Sequence, residues 1–279
     1  MTKRTIGLVQ MRTGVDPARN LDDAEALIRE AAGEGASLVM TPETTHLMQR
    51  DGDTLFDVVR TPEADPAIPR FSALARELEI DLLAGSLALA GPDGRAVNRS
   101  HLFGPDGSLK AVYDKIHMFD VKIGPDETWS ESTNYKPGDR AVLADVGGDV
   151  LGLTICYDLR FAYLYRRLAQ AGATMLAVPS AFTRPTGRAH WEVLLRARAI
   201  ETGSFILAPA QGGAHEDGRK TWGRSMVVGP WGEIVAALDH DEPGVLLAEI
   251  DADAATKARE RIPALAGDRD FAGPDPLKR

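Results

Sequence analysis

Short apolar runs alternate with amphipathic stretches along nearly the whole chain, and that alternation limits the fold more than any other feature. Thr5–Gln10 reads as a strand, and Pro17–Glu34 as a helix with Asp16 placed to cap it. Ser37–Met40 is a short buried strand, Pro66–Glu79 a helix and Asp81–Leu87 a strand. Ala96–Phe103 and Ser108–Tyr113 form a hairpin across Gly-Pro-Asp-Gly. The order then recurs. Val150–Cys156 is a strand, Phe161–Ala171 a helix, Thr174–Pro179 a strand, Arg188–Thr202 a helix and Ser204–Pro209 a strand. Ser225–Val228 and Glu233–Ala237 pair across Gly-Pro-Trp-Gly, and Val245–Ile250 is a last strand. Turns opening at Gly104 and Gly229 share one frame, so two pseudo-symmetric halves are expected. Strands, helices and antiparallel hairpins in this order build two mixed sheets flanked by helices, a layered α/β sandwich.

No linker divides the chain, so residues 1–256 are expected to form one domain. Residues 257–279 turn charged, end in Ala-Gly-Pro-Asp-Pro-Leu-Lys-Arg, and read as a tail suited to a subunit contact. A chain of 279 residues needs no disulfide to hold a core, and Cys156 is its only cysteine. That fits a reducing cytoplasmic setting. Net charge is −9, with 41 acidic and 32 basic residues and no basic run, which argues against nucleic acid or an anionic membrane as partner. The apolar run after the N-terminal Lys-Arg is too short for a signal peptide, and no stretch reaches the length of a membrane span.

Several chemistries lack their motifs. There is no Gly-x-Ser-x-Gly elbow, no His-Glu-x-x-His, no phosphate-binding Gly-rich loop and no dinucleotide fingerprint after the first strand. Six histidines show no metal-ligand spacing, and one cysteine cannot build a thiolate zinc site. Neither metal nor organic cofactor is expected.

Cys156 closes the apolar run Val-Leu-Gly-Leu-Thr-Ile-Cys. It stands at a strand end beside a helix start, where α/β enzymes place reacting groups and where a thiolate would be favoured. Position alone equally allows a buried structural cysteine. A nucleophilic thiol needs a base and a charge partner. Glu43 follows another buried strand in Thr-Pro-Glu-Thr, as a helix-start acid or a catalytic one. Lys115 and His117 both follow a strand in Tyr-Asp-Lys-Ile-His, and spacing does not choose between them.

The three segments around Glu43, Lys115 and Cys156 together resemble the nitrilase superfamily of carbon–nitrogen hydrolases. The likeness runs from about Thr5 to Ile250. Pro185–Gln211 and Met226–Ala236 resemble its Nit-type amidases, the branch acting on deaminated glutathione, with the ω-amidases beside it. The resemblance implies a four-layer α-β-β-α sandwich, assembly as a homodimer or larger homo-oligomer, and a small amide as substrate. It implies a Glu43–Lys115–Cys156 triad in which Glu43 takes the thiol proton and the Lys115 ammonium favours the thiolate. Tyr157 would offer its backbone N–H to the oxyanion, and Glu131 would hold Lys115. Arg160 would bind a substrate carboxylate, with Arg184 a second candidate, and Phe182 and Thr186 would line the acyl pocket. Trp191, Leu194 and Leu195 fall at core spacing and read as scaffold. Relatives commonly carry Pro-Glu where this chain has Ala162 and Tyr163, and His where it has Arg224. Those changes would alter packing behind Cys156 or add a cation near the pocket.

Overall fold

A computed structural model describes residues 3–124 and 127–273. Its first half runs β1 (Lys3–Gln10), α1 (Pro17–Gly33), β2 (Leu38–Met40), α2 (Gly52–Val58), α3 (Ala67–Leu78), β3 (Asp81–Ala90), β4 (Ala96–Phe103) and β5 (Leu109–Asp114). A small ribbon, β6 (Asp120–Lys122) and β7 (Thr128–Ser130), follows. Then come β8 (Val142–Val146), β9 (Asp149–Leu153), α4 (Ala162–Gln170), β10 (Met175–Ala177), α5 (Arg184–Thr202) and β11 (Phe205–Ala208). A second ribbon, β12 (Gly212–Ala214) and β13 (Lys220–Trp222), precedes β14 (Met226–Val228), β15 (Ile234–Ala237), β16 (Gly244–Asp251) and α6 (Asp253–Arg261).

Two six-stranded sheets result, in the orders β16-β1-β2-β3-β4-β5 and β8-β9-β10-β11-β14-β15. In each, an antiparallel edge strand precedes three parallel strands and an antiparallel hairpin. The expected two-fold repeat is therefore present strand for strand. Alternation along β1 sorts the layers. Ile6 and Leu8 enter the core between the sheets, whereas Val9 and Met11 meet α1 and α3. On the far side, Leu164 and Leu168 of α4 and Trp191 and Leu195 of α5 bury against the second sheet. The outcome is the α-β-β-α sandwich. Leu194 is half-buried on the same α5 face.

Local chemistry fixes the ends. Asp16 caps α1 by accepting from the Ala18 and Arg19 N–H groups, worth about 1 kcal/mol. Pro185 seeds α5 a turn earlier than Arg188, which brings Arg184 and Thr186 into the helix. Strand β9 stops at Leu153, and Cys156 instead opens a 3-10 turn over Cys156–Arg160. Helix α2, strand β8 and the two ribbons carry too few residues to show a period, and α6 buries only Ala255 and Ala258, so no apolar stripe announces it. Helix α6 spans position 257, where the tail was expected to begin; residues 274–279 of that tail lie outside the described residues. Among the described residues no helix is long and apolar enough to cross a membrane.

The carboxyl ends of β2, β5 and β9 converge at one edge of the sandwich. Met11 there pairs with Gln211, and the Cys156 N–H donates to Pro179 O at 2.9 Å. Gly85 permits the approach, since a methyl group on it would lie 2.6 Å from Pro179 Cγ.

Candidate active site

Each chemical group sits just past a core strand. Pro42 stops β2, and Glu43 turns inward over the edge, 5% exposed. Its Oε1 accepts from Lys115 Nζ and Asn98 Nδ2, both at 2.9 Å, and its Oε2 accepts from the Ala181 N–H at 2.9 Å. Lys115, 2% exposed, leaves the end of β5. Its ammonium also donates to both oxygens of Glu131, at 2.9 and 2.8 Å. Glu131 opens a short 3-10 turn after β7 and accepts from the Phe119 N–H at 2.6 Å. A buried ammonium thus lies between two carboxylates.

Cys156 lines the same floor as Glu43 and Lys115, and the charges of both bear on its thiol. Its backbone lies in the left-handed region, φ 48°, as does that of Thr44, φ 57°, beside Glu43. Such conformations cost on the order of 1 kcal/mol and persist where surroundings impose them. Asp158 imposes one here. Its Oδ2 accepts from the Ile155 N–H and from Tyr113 OH, and its Oδ1 from the His117 N–H. Tyr113 and His117 flank Lys115, so Asp158 ties the cysteine turn directly to the lysine segment.

Charge decides where the proton rests. Burial opposes ionisation of Glu43 and is the largest single influence, yet the Lys115 charge together with hydrogen bonds from Lys115 and Asn98 holds the carboxyl below its usual range. Burial would strip Lys115 of its proton, but Glu131 and Glu43 hold its ammonium well above the ordinary value. Burial and then the Glu43 charge push the Cys156 thiol well up, and the pull of Lys115 is the smaller effect. Against the thiolate expected from Lys115, these directions favour a thiol beside a carboxylate.

A cleft of about 190 Å³ opens over this floor. Glu43, Lys115, Glu131, Cys156, Tyr157, Phe182 and Thr186 all line it. The Phe182 ring is fixed against Trp191 at 4.9 Å. The Tyr157 N–H is second in its 3-10 turn and has no acceptor further back within it.

Other candidates lie elsewhere. Arg160 is not among the lining residues; its guanidinium sits over the rings of Tyr157 and Phe182 and meets His190 Nδ1 at 3.2 Å. Arg184 is exposed and pairs with Asp241 at 2.6 Å, because its helix starts early and turns it outward. His117 does not line the cleft: Asp158 at 2.6 Å, Tyr163 OH at 2.6 Å and the stacked Phe161 ring occupy it. Tyr163 at that departure from the family pattern therefore braces His117. Arg224 packs over Trp222 and adds no cation to the lining.

Sequence reasoning passes over Asn98, Asp158, Arg50, Arg219 and Trp129. Asn98 is held by Ser86, which donates to its Oδ1, so its Nδ2 donates to Glu43 and, at 3.3 Å, to Glu131. Asn98 lies in a strand that also carries Arg99, Ser100 and His101, so the sequence gives it no distinguishing signal. Among the described residues no group of His, Cys, Asp and Glu is arranged to hold a metal ion.

The family model described as "Carbon-nitrogen hydrolase" matches residues 5–260. The chain is 38% identical over 262 residues to a deaminated glutathione amidase of Synechocystis sp., covering 92% of this chain and 95% of that one. It is 34% identical over 265 residues to an omega-amidase of Mus musculus, with 95% of each covered. The crystal structure of the C. elegans NitFhit protein superposes with a TM-score of 0.88 at 34% identity; the match takes 96% of this chain and 65% of that one.

Proposed function

The chain belongs to the carbon–nitrogen hydrolase family and hydrolyses non-peptide carbon–nitrogen bonds, and on that premise we propose that it is a cysteine amidase acting on deaminated glutathione. One observation carries the mechanism: the Cys156 thiol, the Glu43 carboxylate and the Lys115 ammonium share the floor of one cleft.

Sulfur attacks the amide carbon while Glu43 takes the thiol proton, so no free thiolate need accumulate in the resting enzyme. The carbonyl oxygen gains the charge. Lys115 has three N–H groups; one serves Glu43 and one, shared between two oxygens, serves Glu131. The third is left for the oxyanion beside the Tyr157 N–H, each donor being worth about 3 kcal/mol. The carbon–nitrogen bond breaks as Glu43 returns its proton to the leaving amine. Glu43 then deprotonates a water that hydrolyses the thioester, and the proton goes back to sulfur. Glu131 holds Lys115, Phe182 and Thr186 shape the acyl side, and no cofactor enters. A reducing cytoplasmic compartment fits the lone buried cysteine. Pairing of two copies fits the large exposed side chains Val193, Ile200 and Trp231.

The test compares amine release from deaminated glutathione, as cysteinylglycine, with ammonia release from α-ketoglutaramate. Wild-type protein is expected to favour the former, and Cys156→Ala to release neither above background. Equal release by wild type and Cys156→Ala would end the mechanism. Preference for α-ketoglutaramate would move the chain to the ω-amidase side.

A further inference from the structure

The cleft has a mouth as well as a floor, and the two differ in charge. The floor carries the Glu43 and Glu131 carboxylates around the one Lys115 ammonium. The mouth is lined by Arg50, Arg219 and Lys220, with no carboxylate among the described lining residues there. Three cations at one opening stand out in a chain of net charge −9. Two of them share a seat. The Arg50 guanidinium lies 4.6 Å from the centre of the Trp129 ring, and that of Arg219 lies 5.5 Å from the same ring. Asp217 stands outside the lining and holds Arg219 from one side at 2.7 Å, while Arg50 has no ion-pair partner among the described residues. Two guanidinium groups already gathered over one indole lose less freedom on binding a planar anion than two free side chains would.

We propose that Arg50 and Arg219, seated on Trp129, form an anion-reading mouth that selects amides bearing a carboxylate away from the scissile bond. The proposal rests on the amidase reading above. An anionic tail is repelled by the floor, where carboxylates outnumber the ammonium, and is drawn to the mouth. The substrate therefore enters with its neutral amide toward Cys156. Arginine offers the carboxylate a two-pronged match that lysine does not. The role expected of Arg160 passes to these residues, since Arg160 meets His190 and lies over the rings of Tyr157 and Phe182 without itself lining the cleft.

The experiment compares acids with their methyl esters. Deaminated glutathione and its glycyl methyl ester carry the test carboxylate on the leaving side. α-Ketoglutaramate and its methyl ester carry it on the acyl side. In at least one pair, wild type is expected to prefer the acid about tenfold in kcat/KM, expressed in KM rather than kcat. In Arg50→Gln/Arg219→Gln that preference should fall to within about twofold of unity. An acid-to-ester ratio equal in the double variant and wild type, for both pairs, overturns the proposal. Arg50→Gln alone, at an exposed side chain, supplies the same comparison if the double variant does not fold. Calorimetry of the four compounds on Cys156→Ala reads the mouth without turnover. Equal binding of acid and ester overturns the mouth; wild type inert toward all four compounds, with acid-selective binding intact, overturns the amidase reading alone.

Discussion

The floor and the mouth of the cleft are made from different kinds of chain. Floor residues stand on, or just past, core strands: Glu43 after β2, Asn98 within β4, Lys115 after β5 and Cys156 after β9. Each is nearly sealed from solvent, and Glu43 accepts hydrogen bonds from both Asn98 and Lys115. Mouth residues stand on a loop and two two-stranded ribbons of three-residue strands: Arg50 before α2, Trp129 in β7 and Arg219 in the turn before β13. Preorganisation belongs to the first group, because a fixed dipole or charge aimed at a developing oxyanion costs no rearrangement during reaction. Selection belongs to the second, where solvent screens each contact and a lost one costs little. Substitutions at the floor should therefore lower kcat or fold stability, and substitutions at the mouth should raise KM.

The largest separation is expected at Glu43. Glu43→Gln keeps the shape and two hydrogen-bonding positions but cannot take the thiol proton, so kcat should fall about 10³-fold with KM little changed. The pH profile adds a second check. Glu43 must be ionised to act, and its carboxyl is held below the usual 4.5. The kcat/KM of wild type should stay level as pH falls through the ordinary carboxylate range and decline only below it. On the alkaline side Cys156 and Lys115 are both held above their ordinary values, so no loss is expected through about pH 9. An acid limb centred above pH 5 would mean that some other group is the base.

Next in size is the ion cluster itself. Lys115→Met preserves the length of the side chain and removes the charge between Glu43 and Glu131. Two buried carboxylates then face each other without a cation, which should cost about 3 kcal/mol of stability, read by urea unfolding at neutral pH. Adding Glu131→Gln should restore part of it, because one uncompensated charge is removed. Lys115→Met as stable as wild type would show that the cluster relaxes on losing its centre, contrary to its fixed geometry.

The same contrast explains what the sequence revealed. Glu43, Lys115 and Cys156 are legible because each follows an apolar run that only a buried strand explains, and because three such segments in order match one family. Layer order was legible for the same reason: the strand-helix alternation of the first half returns in the second. Asn98 and Asp158 were not, since their importance lies in partners 55 and 41 residues away, Glu43 and His117. The mouth was not legible either. Ribbons of three residues carry no periodicity, and an arginine beside a turn looks like any solvated cation. Arg160 differs: its motif matched, but its guanidinium lies over the lining rings of Tyr157 and Phe182 and against His190 and does not itself line the cleft.

The smallest predicted effect tests the mouth most directly. Trp129 touches no floor residue through a hydrogen bond; its Nε1 donates to Glu127 at 3.0 Å and its ring carries the two guanidinium groups. Trp129→Ala leaves every charge in place and takes away only their seat. A cation over an exposed indole is worth about 0.5–1 kcal/mol, so KM for the carboxylate-bearing amide should rise about threefold while kcat holds. Trp129→Phe retains a π face and should recover most of that loss. If Trp129→Ala instead lowered kcat by the margin expected for Glu43→Gln, the indole would be ordering the floor through the Glu131 turn that follows β7. The division between a rigid floor and a selecting mouth would then have to be redrawn with Trp129 on the other side.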